Sequence, residues 1–287
     1  MSPVSASLHA VDWKRIFPEG DHRWTMGLRP ADAATFFAPR PDADAALRLR
    51  ERLLTDDPVR YAVLLPEAHA AVDETVGWLR TAAGRDVAAA YAPVESYERL
   101  LALGRSVETD FVWLQADGER SHRVVGGVVC FPSSWDLGAN LNAPLRRVHD
   151  PVPGLDDALG RQIDVFLDKL EPGAVWAREN WSLAADDERN HHPSTPRTPY
   201  PRPLAADGVW IRLEHQLLVR LPRSPAVLFV IDVEPIPLPT LLRDAAATER
   251  LARLLETMSP DALRYKRLDG VRDAIVRQLR AATSTVD

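Results

Sequence analysis

The run VWIRLEHQLLVRLPRSPAVLFVIDV, Val209 to Val233, constrains the fold more than any other part of the chain. Val209, Ile211, Leu213, Leu217, Val219 and Leu221 alternate with Trp210, Arg212, Glu214, Gln216 and Arg220, the period-two pattern of a strand with one apolar face. Arg223-Ser224-Pro225 then turns the chain into a second apolar strand, so the segment predicts a β-hairpin. FVWLQADGERSHRVVGGVVCFP, Phe111 to Pro132, predicts a second hairpin, joined through Ala116-Asp117-Gly118-Glu119. AVWARENWSL, Ala174 to Leu183, adds further strand character. Helical spacing runs over Ala43 to Leu54, Glu67 to Gly84, Glu95 to Leu103, Gly154 to Leu170, Thr240 to Met258 and Pro260 to Ala282. The strands sit together between helices instead of alternating with them, which gives an α+β class with an antiparallel sheet.

With 287 residues, 46% of them apolar and 26% charged, the chain is long enough for a large core and unlike a disordered one. Its net charge of −6 is mild and its basic residues are scattered, so a nucleic-acid surface is not expected. Cys130 is the only cysteine, which excludes an internal disulfide, a CxxC pair and an all-cysteine cluster within the chain. The start of the sequence lacks the apolar core of a signal peptide and no run is long enough to cross a bilayer, so a cytoplasmic protein without a membrane partner is expected. The Pro-rich HHPSTPRTPYPRP, His191 to Pro203, can be neither helix nor central strand and is expected to form an exposed loop or a lid.

Two strand faces and one histidine stand out chemically. Arg212, Glu214 and Gln216 project from one face of their strand, either as a polar binding row or as a solvated surface. Trp176, Arg178, Asn180 and Ser182 share one face of theirs, with Trp181 on the other, and an Arg beside an Asn between tryptophans suggests a partly buried polar site or an arginine satisfied at a sheet edge. His191 and His192 are adjacent and lack the spacing of paired metal ligands, so they read as an exposed loop pair. His149 follows an irregular stretch and precedes Pro151-Val152-Pro153, which restricts the backbone around it. One histidine cannot build a zinc site, but it suffices as the proximal ligand of a haem; the alternative is a structural histidine. GxSxG, HExxH, Walker and dinucleotide-type glycine motifs do not occur, and the Gly126-Gly127 pair points to a close approach of backbone or ligand.

Taken together and in order, MGLRPAD, HRVVGGVVCFPSSW, RVHDPVPG, ARENWSL and RLEHQLLVRLPRSPAVLFVID resemble the haem-dependent oxidative N-demethylase α-subunit family over approximately Trp24 to Pro239. The resemblance implies a PAS-like antiparallel sheet flanked by helices, spanning residues 31–240 after a lead-in over 1–30, with C-terminal helices over 241–287 packed on the same domain. It implies haem b, O2 as co-substrate, a small amine substrate, and electrons from separate flavin and iron–sulfur proteins, with neither cofactor in this chain. His149 corresponds to the proximal haem ligand, in the position of the family's IHxPVP segment. Arg178 and Glu214 become the candidate catalytic residues, and Asn180, Trp181, Arg212 and Gln216 candidates for facing or bracing the pocket. Gly126 to Pro132 becomes a central strand near the porphyrin.

The chain departs from the family pattern at Glu214-His215-Gln216-Leu217, where members usually read Glu-Arg-Gln-Thr, around Leu114 to Asp117, and in the Pro-rich loop. Those departures bear on the substrate more than on the haem, leaving a larger amine and N-oxygenation open beside N-demethylation. A haem-based gas or redox sensor and a haem-free ligand-binding relative are the competing readings; the sequence offers the first no coiled-coil seam for an output.

Overall fold

The computed structural model describes residues 11–91, 95–118 and 121–284. Seven strands make one antiparallel sheet: β1 (Arg29–Pro30), β2 (Ala62–Leu64), β3 (Asp110–Ala116), β4 (His122–Val128), β5 (Val175–Ala184), β6 (Trp210–Arg220) and β7 (Ala226–Pro237). Their order is β1-β5-β6-β7-β3-β4-β2, so the hairpin expected from the alternating run is β6 and β7 and lies in the middle. It pairs from Trp210 opposite Pro237 to Arg220 opposite Val227. β3 and β4 form the second expected hairpin; Gly118 takes a φ of +87° at its turn, while Glu119 lies outside the described residues. This is the α+β, PAS-like arrangement of an antiparallel sheet flanked by helices. Among the described residues no helix is long and apolar enough to cross a membrane.

Two details correct the sequence reading and a third sharpens it. β4 ends at Val128 and is the second strand from its edge, so Gly126 to Pro132 is not a central strand. The glycine pair serves backbone approach: a Cβ on Gly126 would lie 3.1 Å from the Val63 carbonyl oxygen and one on Gly127 2.6 Å from the Phe111 carbonyl oxygen. Finally, the helix expected over Pro260 to Ala282 is two, Pro260–Tyr265 and Arg272–Ser284. Arg267 turns the chain between them at φ +57°, with the amide of Leu268 donating to the Leu263 carbonyl at 2.8 Å.

The two sheet faces are covered differently. Helices Ala43–Asp56, His69–Ala82 and Ser96–Ser106 pack on Phe111, Trp113, Leu228, Val230, Leu217 and Val219. One face of the second of these helices, Ala71, Val72, Thr75, Trp78 and Leu79, is buried there, and Trp113 Nε1 donates to Thr75 Oγ1 at 3.0 Å. Further along the same strands, Leu183, Ile211, Leu213 and Ile236 share a core with the C-terminal Leu251 and Leu255 and with Trp13, Ile16 and Phe17 of the N-terminal lead-in. On the opposite face, Val112, Leu114, Val124 and Leu218 meet Leu167 of the helix Arg161–Lys169 and Leu170, which ends it.

The passage from β4 to His149 is pinned at its start. Asp110, wholly buried, accepts from the amides of Cys130 (2.7 Å) and Phe131 (2.9 Å) and forms an ion pair with the equally buried Arg50. Pro144 then bridges to Arg123, and Leu145–His149 closes the passage as a short helix, so His149 ends a helical turn and not a loop.

Candidate active site

Between the second sheet face and its cover lies a cavity of about 580 Å³, in the size range of small-molecule and cofactor sites. Val112, Leu114, Val124, Leu218, Phe229 and Ile231 give it an apolar floor from β3, β4, β6 and β7. Leu155, Leu159, Ile163 and Phe166 wall it from a π-helical turn, Asp156–Gly160, and the helix that follows. Here the apolar stripe predicted for residues 154–170 lines a cavity as well as a core.

The polar part is set by strand register. Arg178 pairs with Gln216 and Asn180 with Glu214 across β5 and β6, and residues directly opposite share a face, so the two rows read separately from the sequence become one patch inside the cavity. Glu214 is nearly buried and well held: Asn180 Nδ2 donates to Oε2 at 3.1 Å, Gln216 Nε2 donates to the same oxygen at 2.7 Å, and the Ser133 hydroxyl donates to Oε1. Arg178 Nε and Gln216 Oε1 are buried with no partner among the described residues. Buried polar atoms of that kind are rare unless a ligand or water completes them.

Arg212 belongs to the same strand face but does not line the cavity. Its guanidinium donates to the carbonyl oxygens of Phe131 (2.8 Å), Glu188 (2.9 Å) and Arg189 (2.7 Å) and to Ser133 Oγ (2.7 Å). It therefore clamps two loops and reaches Glu214 only through Ser133. Trp181 contributes to the cavity lining from the opposite sheet face, where it stands edge-on to Phe17 with ring centroids 5.2 Å apart.

His149 lines the cavity with no hydrogen bond to its ring among the described residues. Burial first, and then the nearby Arg178 charge, lower its pKa, so the imidazole is neutral at neutral pH with a lone pair to give. A haem asks of the protein one axial nitrogen and an apolar enclosure. The free imidazole and the aliphatic and aromatic walls meet both demands. No group of three or more His, Cys, Asp or Glu suited to a bare metal ion occurs among the described residues.

The family model for haem-dependent oxidative N-demethylase, alpha subunit-like proteins matches residues 77–276. The chain belongs to this family. The match extends beyond Pro239, where the sequence resemblance ended, into the C-terminal helices. Those helices supply a cavity residue that sequence reasoning missed.

Lys266 lines the cavity at the break between the last two helices; its Nζ donates to the Trp181 carbonyl at 2.6 Å and lies 4.8 Å from the Trp181 ring centroid. Burial, reinforced by Arg178 and opposed by Glu214, pushes its pKa down to about 8. The Asp269-Gly270 pair inside an otherwise helical pattern was the available signal for that break.

Within the Pro-rich loop, the two histidines differ from expectation. His191 and His192 are buried, not exposed. His191 lines the cavity, and its Nε2 bonds Asp186 at 2.8 Å. His192 packs edge-on against Tyr61 and shares a 2.8 Å hydrogen bond with Ser194. Arg197, Thr198, Pro199 and Tyr200 line the cavity, so this segment covers it as a lid would.

Proposed function

We propose that the chain is a haem b monooxygenase that uses O2 to oxidise a small amine, by oxidative N-demethylation or N-oxygenation, with electrons from a separate flavin and iron–sulfur reductase. The observation that carries this reading is a neutral, unpartnered His149 sharing one cavity with Arg178 and a three-fold-anchored Glu214. When bound, haem supplies the oxygen activation and the electron transfer that no side chain provides.

The chain's own residues bind, orient and move protons. His149 would hold the haem iron through a ring nitrogen. Arg178 brings a positive charge and an unused N–H into a low-dielectric space, where a fixed charge of that sign stabilises negative charge developing during reaction. Glu214 receives the cationic amine. A carboxylate offers about four lone-pair directions, and Ser133, Asn180 and Gln216 leave one of them for an ammonium N–H. A charge-assisted bond of this type fixes both the position and the charge state of the substrate. Lys266, poised near neutrality, exchanges a proton at Nζ inside the cavity.

The test is oxygen uptake by the haem-loaded chain, with a reductant, across secondary N-methylamines and primary amines. Uptake matched by formaldehyde identifies demethylation, and uptake with a hydroxylamine and no formaldehyde identifies N-oxygenation. Haem-loaded protein that consumes no oxygen above the reductant blank with any amine contradicts the enzymatic reading.

A further inference from the structure

The mouth of the cavity carries positive charge that the proposed reaction does not use. Arg197 and Tyr200 of the Pro-rich loop line it, together with Ser134 and Arg267 from two distant parts of the chain. Ser134 and Arg267 hold left-handed backbone, with φ of +70° and +57°, a conformation that non-glycine residues adopt at a cost and that gathers at functional sites. Both converge on Arg197. The Arg197 Nη2 donates to the Ser134 hydroxyl oxygen, and burial followed by the Arg267 charge pushes Arg197 down to about 10. Two guanidinium groups held near each other at a partly buried mouth repel unless an anion joins them.

The protein itself does not supply that anion. Neither arginine makes an ion pair among the described residues, and Arg267 makes no side-chain hydrogen bond among them. Asp186, whose charge acts on Arg197 without an ion pair, is engaged by His191 Nε2 at 2.8 Å, the Glu188 amide at 3.2 Å and the Thr198 hydroxyl. The Tyr200 hydroxyl is buried with no partner, and burial raises its pKa, so it remains a donor.

We propose that Arg197, Arg267 and the Tyr200 hydroxyl form a carboxylate-binding subsite at the cavity mouth. Two planar forks and a phenolic donor match a planar anion with two acceptor oxygens. Within the haem reading on which it rests, the carboxylate has two sources: a propionate of the porphyrin or a carboxylate on the amine substrate.

Full-length wild type, R197M, R197K, R267M and Y200F, each checked for an unchanged circular-dichroism melt, are titrated with two ligand pairs. Haem is compared with its dimethyl ester by visible absorption, and N-methylglycine with dimethylamine by calorimetry. The expected result is that wild type prefers the acid in at least one pair, and that R197M and R267M weaken that acid by roughly tenfold or more while leaving its carboxylate-free partner unchanged. R197K, with the charge but not the fork, falls between. Loss confined to haem assigns the subsite to the propionates, and loss confined to N-methylglycine assigns it to the substrate. A wild type with no preference for either acid, or arginine variants that bind both members of each pair like wild type, overturns the subsite. A wild type that binds neither haem nor ester contradicts the haem reading, and the amine pair still decides the subsite.

Discussion

Glu214 shows how much of a side chain's role is set by what already holds it. Three donors orient its carboxylate and none is a cation; the arginine two residues away on the same face is tied to backbone carbonyls instead. E214Q keeps the shape and removes the charge. With haem binding unaltered in the visible spectrum, the Michaelis constant for a cationic amine should rise roughly tenfold or more, the worth of a hydrogen bond to a charged group, and an unchanged constant would remove Glu214 from substrate binding. The alternation of β6 was enough to place Arg212, Glu214 and Gln216 on one face. It could not say that the loops at 131–133 and 188–189 cover the Arg212 end and leave the Gln216 end open to the cavity. Lys266 was missed for a related reason: its approach depends on a helix break far along the chain, which the Asp269-Gly270 pair signals without saying what the break brings near.

At the scale of elements, two segments carry His149 and the lid into place, and each hangs on a buried charge. Asp110 and Arg50 are both 0% exposed, and Asp110 also satisfies the amides that begin the passage toward His149. D110A leaves Arg50 buried without its counter-ion and two amides without acceptors, so urea unfolding should report a loss of about 3–5 kcal/mol; a loss below about 1 kcal/mol would mean that the pair contributes no more than a surface one.

The lid has its own pH signature. Burial, aided by the Arg212 charge, holds His191 down to about 4 from an ordinary 6.5. Between these values the unfolded chain binds a proton that the folded chain does not, so stability contributed at this site is intact above pH 6.5 and is lost as pH falls toward 4. Melting temperatures across that range should fall less steeply in H191Q than in wild type; parallel profiles would show that His191 is not the group responsible. The proline content of the loop correctly excluded helix and central strand, but adjacency of two histidines says nothing about which partners, Asp186 and Tyr61, await them.

At the scale of the whole molecule, one sheet divides the labour. Its first face is filled by helices from both ends of the chain, and its second keeps a cavity between β3, β5, β6 and β7 and a cover drawn from residues 133–169, the Pro-rich loop and the 265–267 turn. The class and the strand pairing were legible because alternation and turn chemistry are local. The cavity was not, because it arises where the register of β5 on β6 meets three distant covers. The proposed function of this cavity turns on His149 as the group that would hold the haem. The most direct measurement is the visible spectrum of the purified chain with added haem, for wild type and H149A, the latter with and without free imidazole. Wild type should give a shifted Soret band, H149A should lose it, and imidazole should restore it; an H149A spectrum identical to wild type would contradict the assignment.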